Sequence, residues 1–529
     1  MPGSKMKSIE IKNISDFEKA QKFVLEILNR KRIAKSVASE TMLVFEALFH
    51  EILSQKKDAE TPVTIRSRER LGNVSILFTF EGGMYVPGSE EADIESAEEK
   101  ILRAYSDKID YSYQLGFNTI RITIQNSHAK AMLPCGVAVL LGILVVFFLR
   151  IPGNENMKES ILSNFVLPME ILFGNAMLMV GAPVTFFSLL KNLTNVYIVS
   201  ERSSYVRMLR RTIILTSVIS VLLAVAASRL TAGIVSQPMS FTGYTTMRVN
   251  MTLPDFIASI VPSDIFAPFQ MISPFPLIIV AAVVVVALCS VGKYFDKLKT
   301  AVDACYALFS RMLGIIMTVL PFFVFLAFLH MLLTDGPFAF LYMAELTLAV
   351  VVSLAFMAAF YWIRLKKSGI GVLQFAKKMG PLLAESYKIG SSLDAAPFTI
   401  RYCSREFNME RKKLELSIPV LAQINLDGNC FIITCVTLIL MLASKTTAGW
   451  VDIALIALLV FFLSLGAPNQ PGSCLIGVLI ILSYMNALEL IPLAIFSELV
   501  FGSLQNLINV VGDIVTAAEF EPDKKIHAT

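Results

Sequence analysis

The apolar stretch "INLDGNC" (424–430) carries Asn425, Asp427 and Asn429. A carboxylate placed inside an apolar helix is costly and demands a counter-charge. The neighbouring apolar stretches offer no Lys or Arg to supply one. A cation is then the expected partner, and hard cations such as Na⁺ favour carboxylate, amide and carbonyl oxygens. A broken helix exposes such carbonyls. A second acid, Asp513, lies in "FGSLQNLINVVGD" (501–513), four residues after Asn509, so a helix would put the pair on one face. Two acids with amides and hydroxyls suggest more than one cation site.

Three further polar clusters interrupt apolar sequence. Thr216–Ser217 lies inside "IILTSVISVLL" and equally fits hydroxyls bonded to their own helix backbone. "GSSLDAAPFT" (390–399) places Ser391, Ser392 and Asp394 ahead of Pro397; it fits a re-entrant hairpin tip or a plain cytoplasmic loop. "SLGAPNQPGSC" (464–474) has two prolines and two glycines, which forbid a continuous helix. It fits a second re-entrant tip, from the outside, or a short extracellular connection.

The elements that must hold these residues are membrane helices. The 529-residue chain is 55% hydrophobic and 17% charged, where soluble domains carry about a quarter charged residues. From Ala131 to Thr516 apolar runs follow one another, many longer than the ~20 residues that span a bilayer. Those broken near 390–399 and 464–474 are tolerated only where they line a cavity or are buried in protein. The loops 191–211, 293–299, 364–367 and 401–413 are basic, which predicts that they and both termini are cytoplasmic. A net charge of +4 is too small to predict nucleic-acid binding. Seven scattered cysteines and four histidines show no metal-ligand spacing. The polar start "MPGSKMKSIEIKNISD" predicts no signal peptide.

Residues 1–129 are charge-rich and predict a cytoplasmic α/β domain, followed by a membrane domain over 130–520 and a tail at 521–529. "MKSIEIKN" reads as an edge strand. "SDFEKAQKFVLEILNR", with Ser15 as N-cap, and "SVASETMLVFEALFHEIL" read as helices. "TPVTIRSR" and "NVSILFTFEGG" read as a strand pair, "SAEEKILRAYSD" as a helix and "FNTIRITIQN" as a last strand.

Over residues 131–520 the chain resembles the dicarboxylate/amino acid:cation symporter family, the glutamate-transporter-like proteins. "NLDG" (425–428), "NVVGD" (509–513), "SSLDAAPFT" (391–399), "SLGAPNQPG" (464–472) and Thr216–Ser217 follow that family's motifs in order, and "SIVPSDIFAPF" resembles the segment before its fourth helix. The resemblance implies eight spanning helices, two re-entrant hairpins, a homotrimer and an elevator-like moving part. It implies one sodium site at Thr216, Ser217, Asn425 and Asp427. A second falls at Asn425, Asn509, Asp513 and the Leu421 carbonyl. A third is formed by backbone near Gln423, Ser464, Leu465 and Ala467. Solute positions fall at Ser391, Ser392, Asp394, Asn429, Pro471, Gly472, Gly502, Gln505 and Asn509.

The family's substrate-reading residues are changed. Gly502 stands where an Asp holds a solute ammonium, and Gln505 where an Arg grips a distal carboxylate. A neutral amide does not replace a bidentate guanidinium, so the expectation is a small organic solute with altered specificity. Leu393–Asp394 interrupts the serine run, and Asn429 replaces a threonine.

The N-terminal domain resembles the histidine-kinase-type ATPase fold of anti-sigma-factor kinases. His50 in "EALFH" stands where that family has its magnesium-binding Asn, "FEGG" with Glu81 replaces its D-x-G turn, and no glycine-rich lid precedes "EKIL". The departures predict a degenerate module that binds a cytoplasmic protein rather than ATP. As a residue alone, His50 also fits a partly exposed helix position. The expected functions are therefore a sodium-coupled symporter regulated by its N-terminal domain or, alternatively, a transporter-derived sensor. An active kinase fused to a transporter is a third option.

Overall fold

The structure, a computed structural model, describes the chain outside residues 1–7, 31–32, 34, 56–61, 71–72, 82–108, 115–116, 125–127, 152–154, 203, 235–253, 255–256, 259, 271–273, 369–370, 444–448, 469 and 521–529. The helix expected at "SAEEKILRAYSD", the glycines of "FEGG" and the C-terminal tail lie outside the described residues. The chain forms two compact units, Met1–Ala131 and Met132–Thr529.

The first unit is an antiparallel sheet with two helices. Strands β1 (Ser8–Ile11), β2 (Val63–Arg70), β3 (Asn73–Glu81), β4 (Ile109–Gln114) and β5 (Phe117–Ile124) run in the order β1-β2-β3-β5-β4. Alternation puts Ile65, Ile76, Phe78, Ile120 and Ile122 in the core. Cross-strand pairs Ile65–Phe78 and Ile76–Ile122 fix the register. Helices α1 (Phe17–Arg30) and α2 (Lys35–Gln55) cover this core with Val24, Leu28, Phe45, Leu48 and Phe49. The strand pair at 63–81 is as expected, whereas β4 went unread because its Tyr–Ser–Tyr alternation is only half apolar. Asp16, rather than Ser15, organises the start of α1. Its carboxylate accepts from the amides of Lys12 (3.1 Å) and Asn13 (3.5 Å), which hold its pKa below the ordinary aspartate value.

The second unit is helical. Its segments are α3 (His128–Leu149), α4 (Leu167–Arg202), α5 (Ser204–Thr231), α6 (Pro274–Ser290), α7 (Phe295–Met317), α8 (Leu320–Asp335), α9 (Phe338–Lys367), α10 (Val372–Ile389), α11 (Ser392–Glu406), α12 (Arg411–Ile424), α13 (Asp427–Ala443), α14 (Trp450–Leu465), α15 (Ser473–Tyr484) and α16 (Ile491–Glu519). Seven stretches among the described residues are long and apolar enough to cross a membrane. The 17-residue α6, about 26 Å long, is one of the shorter apolar helices beside them. Between α7 and α8 the amides of Thr318 and Val319 donate to the Ile315 and Ile316 carbonyls in a short turn.

Two helical hairpins complete the unit. In the first, Gly390 ends α10 in the left-handed region (φ 78°), and Ser391 caps α11 through the Asp394 amide. In the second, α14 and α15 are joined through residues 466–472, and Gly472 (φ 96°) starts α15. The α12–α13 segment is buried on both sides of a break at Asn425–Leu426, where Asn425 leaves helical geometry. Around α13 pack α5, α9, α14, α15 and α16.

Candidate functional site

The break between α12 and α13 places Asn425, Asp427 and Asn429 at a helix end and a helix start in the interior. Helix ends leave carbonyls and amides without helical partners, and here the Gly428 amide meets Asn509 of α16. The glycines of both motifs are present because side chains would not fit. A Cβ on Gly428 would run into the Gln505 carbonyl and come within 2.9 Å of Asn509 Oδ1. A Cβ on Gly512 would lie 2.8 Å from the Tyr361 hydroxyl, 3.1 Å from Asp427 Oδ2 and 3.3 Å from Asn425 Nδ2. The chain is thus pared to backbone where the two acid-bearing helices meet.

The buried polar groups form three hydrogen-bonded sets that meet at the break. Asn425 Nδ2 donates to Asp513 Oδ1 at 3.0 Å, and Thr216 Oγ1 lies 3.2 Å from Asn425 Oδ1. Thr216 Oγ1 is also 3.0 Å from its own helix's Ile213 carbonyl. That hydroxyl is thus within reach of its own helix backbone and of Asn425, and its single proton chooses between the two acceptors. The Gly428 amide donates to Asn509 Oδ1 at 2.8 Å, and Asn509 Nδ2 donates to Asn429 Oδ1 at 2.8 Å. Asp427 Oδ2 accepts from Tyr361 at 3.3 Å, whereas Asp427 Oδ1 has no hydrogen-bond partner among the described residues. Ser220 Oγ and Ser464 Oγ are likewise buried and unpartnered among them. An acceptor-only oxygen buried without a donor is expensive, and a cation supplies what it lacks. The donors are carboxylate, amide and hydroxyl oxygens, and no cluster of three His, Cys, Asp or Glu occurs among the described residues. That set suits a hard alkali cation rather than a transition metal.

The expected residues divide by location. Thr216, Asn425, Asp427, Asn429, Asn509 and Asp513 are brought together, and Ser217 is buried one residue beyond Thr216. The Leu421 carbonyl accepts the Asn425 amide at 2.7 Å. On the first hairpin, Ser392 Oγ reaches the Ala422 carbonyl at 3.4 Å. The Gly390 carbonyl accepts from Asn506 at 2.6 Å, so the hairpin tip is pinned to both α12 and α16. Asp394 is half-buried. On the second hairpin, Ser464 and Gly472 are buried, and Pro471 is half-buried. Gln505 Nε2 donates to Ser473 Oγ at 2.7 Å.

Sequence reasoning missed several buried groups. Glu170, Glu345 and Glu498 are buried acids beyond the two anticipated. Glu170 sits 2.7 Å from His330. Arg364 at the end of α9 is also buried, contrary to the expectation of no basic residue near the acids. It is engaged bidentately by Glu519 at 2.8 and 2.7 Å and by Thr516 at 3.0 Å. Tyr361, in "FYWIRLKK", resembles an interfacial aromatic by sequence, and only the packing shows it on Asp427. In the first unit, His50 lies 5.4 Å from the Phe17 ring and 5.9 Å from Phe49, in keeping with the partly exposed helix position.

The long apolar helices, the broken helix and the two hairpins are the architecture of a multi-pass membrane protein. Residues 132–521 match the sodium:dicarboxylate symporter family, and the chain belongs to that family. It is similar to the L-cystine uptake protein TcyP of Bacillus anthracis, 23% identical over 274 residues, which cover 50% of this chain and 59% of that protein. TcyP of Bacillus cereus matches over the same extent. Excitatory amino acid transporter 3 of Homo sapiens is 28% identical over 176 residues, 33% of each chain. The matched region spans about three-fifths of the bacterial relatives' length.

Proposed function

We propose that the chain is a secondary active symporter that moves a small organic solute of the dicarboxylate/amino-acid class, with altered specificity, driven by Na⁺. The observation that carries this is the pair of buried acids Asp427 and Asp513 beside the helix break, the second held by Asn425 and the first with Oδ1 left for a cation. Thr216, Ser217, Asn425 and Asp427 would hold one ion. Asn425, Asn509, Asp513 and the Leu421 carbonyl would hold a second, and backbone near Ser464 a third. The solute would lie between the two hairpin tips and α16, against Ser391, Ser392, Asp394, Asn429, Pro471, Gly472, Gly502, Gln505 and Asn509. The hairpins with α12–α13 and α16 would travel as one elevator body within a homotrimer. The basic loops support cytoplasmic termini. Flux into proteoliposomes tests the reading: uptake should follow an imposed sodium gradient, and a gradient-independent flux would refute coupling.

A second reading is a membrane sensor that signals through residues 1–129. It is favoured by the separate core of that unit, centred on Phe45, Ile76 and Phe78, which the ion site does not need. In either case the N-terminal unit is proposed to bind a cytoplasmic protein and not ATP.

A further inference from the structure

Glu498 lies on α16 one turn before Gly502 and is 2% exposed. Its Oε1 accepts from the Gly472 amide at 2.8 Å and its Oε2 from the Leu475 amide at 3.0 Å. These are the amides of the N-cap and of the third residue of α15, whose N-cap is a glycine and offers no side chain of its own. The carboxylate therefore caps the second hairpin's inner arm from another helix. It also fills the space beside Gly502. A Cβ on that glycine would stand 2.7 Å from Glu498 Oε1, 2.9 Å from its Cδ and 3.1 Å from Oε2. The acid that Gly502 lacks is thus present, delivered by a longer side chain from one turn away.

Two observations say what this carboxylate is for. One turn beyond, Gln505 spends Nε2 on Ser473 and leaves Oε1 buried and without a partner among the described residues, an open acceptor. From Leu414 to Phe520 the sequence holds one basic residue, Lys445, and no Arg or His. Two backbone amides use about half of a carboxylate's acceptor sites. The negative charge is left without a formal counter-charge in its own elements, and buried charges are ordinarily paired.

We propose that Glu498 is the specificity-determining residue that binds the protonated amine of the solute, assisted by Gln505 Oε1, and that the solute has no second carboxylate to place at Gln505. The proposal rests on the symporter reading above. It narrows the altered specificity to amines such as neutral amino acids. Because one carboxylate serves both the solute amine and the α15 amides, amine binding and the seating of the second hairpin draw on the same group.

The test uses the purified full-length protein with sodium. Thermal shifts and dissociation constants are measured for L-serine, L-alanine, L-glycerate (serine with a hydroxyl in place of its amine) and succinate. The amine-bearing probes should bind and the other two should not. Glu498→Gln should weaken the amine probes roughly ten- to hundredfold, the worth of a charge-assisted contact. The double variant Glu498→Ala/Gly502→Asp, which returns a carboxylate to the space beside residue 502, should recover most of that loss. The shift given by sodium alone reports that each variant is folded. A Glu498→Gln protein with a lowered melting temperature but unchanged amine affinity would reduce Glu498 to a helix cap and overturn the proposal. A folded double variant blind to amines, or wild type preferring succinate or glycerate, would also overturn it. Absence of sodium-dependent binding for every probe would instead bring down the symporter reading itself.

Discussion

A methyl group added at Gly512 would press on Tyr361, Asp427 and Asn425 together, whereas one added at Gly314 on α7 would meet nothing within 4 Å. The two glycines therefore make a controlled pair. Gly314→Ala should raise the melting temperature slightly, since alanine is favoured over glycine in a helix interior by roughly 1 kcal/mol. Gly512→Ala should raise the half-saturating sodium concentration at least tenfold, measured by sodium titration of the melting temperature; an unchanged midpoint would separate Gly512 from the ion site. Asp427→Asn should abolish the sodium response more completely, because it removes the charge that the orphaned Oδ1 carries. The acids and amides of "NLDG" and "NVVGD" were legible because polar residues in apolar runs announce a cost that something must offset. Glu498, in "AIFSELVFG", gave the same signal and was passed over because no motif contains it. Tyr361 gave no signal, since a tyrosine near a run of basic residues fits a membrane-interface position equally well.

Helices and hairpins set the second scale of argument. Gly472 starts α15 with φ 96°, and a Cβ there would also stand 2.9 Å from Met317 Sδ on α7. Two causes can be separated. Met317→Ala should relieve the contact but leave the left-handed strain of roughly 1–2 kcal/mol. Gly472→Ala should thus melt lower than wild type, and Gly472→Ala/Met317→Ala should recover only part of the loss; full recovery would assign the whole effect to the sulfur contact. The Arg364–Glu519 pair ties α9 to α16. Removing Arg364 alone strands a mostly buried carboxylate and should cost about 3 kcal/mol, whereas Arg364→Met/Glu519→Leu should be nearly neutral, because the desolvation of both charges is then relieved. A chemical-denaturation series on these two variants checks the order. At this scale the sequence left both hairpins balanced against ordinary loops, since proline and glycine mark a turn without fixing its depth. The structure shows helix up to Ile389 and again from Ser392, a connection too short for a free loop. The break at Asn425 could be placed because polar residues replace the apolar pattern there, whereas periodicity is silent in helices buried on every side.

For the molecule as a whole, the division near residue 131 follows from composition: charge-rich sequence with two-residue alternation gives way to long apolar helices. Each unit buries its own core. Along α3, Leu133, Leu140, Leu144 and Phe147 are exposed, as expected of a helix whose solvent is lipid or a second copy of the chain. Every side chain assigned to the cations lies between Thr216 and Asp513, so none belongs to the N-terminal unit. Residues 130–529 alone should therefore keep the sodium-dependent thermal shift within about twofold of the full chain, by the mass-action link between ion binding and stability. A lost shift would show that the N-terminal unit contributes to the ion site. Given a retained shift, flux in proteoliposomes divides the two functional readings. Flux that rises or falls several-fold on deletion marks residues 1–129 as a regulator of transport. Unchanged flux, with binding of a cytoplasmic partner lost, marks them as the output arm of a sensor, because a domain that only reports the solute state has no lever on the barrier to its movement.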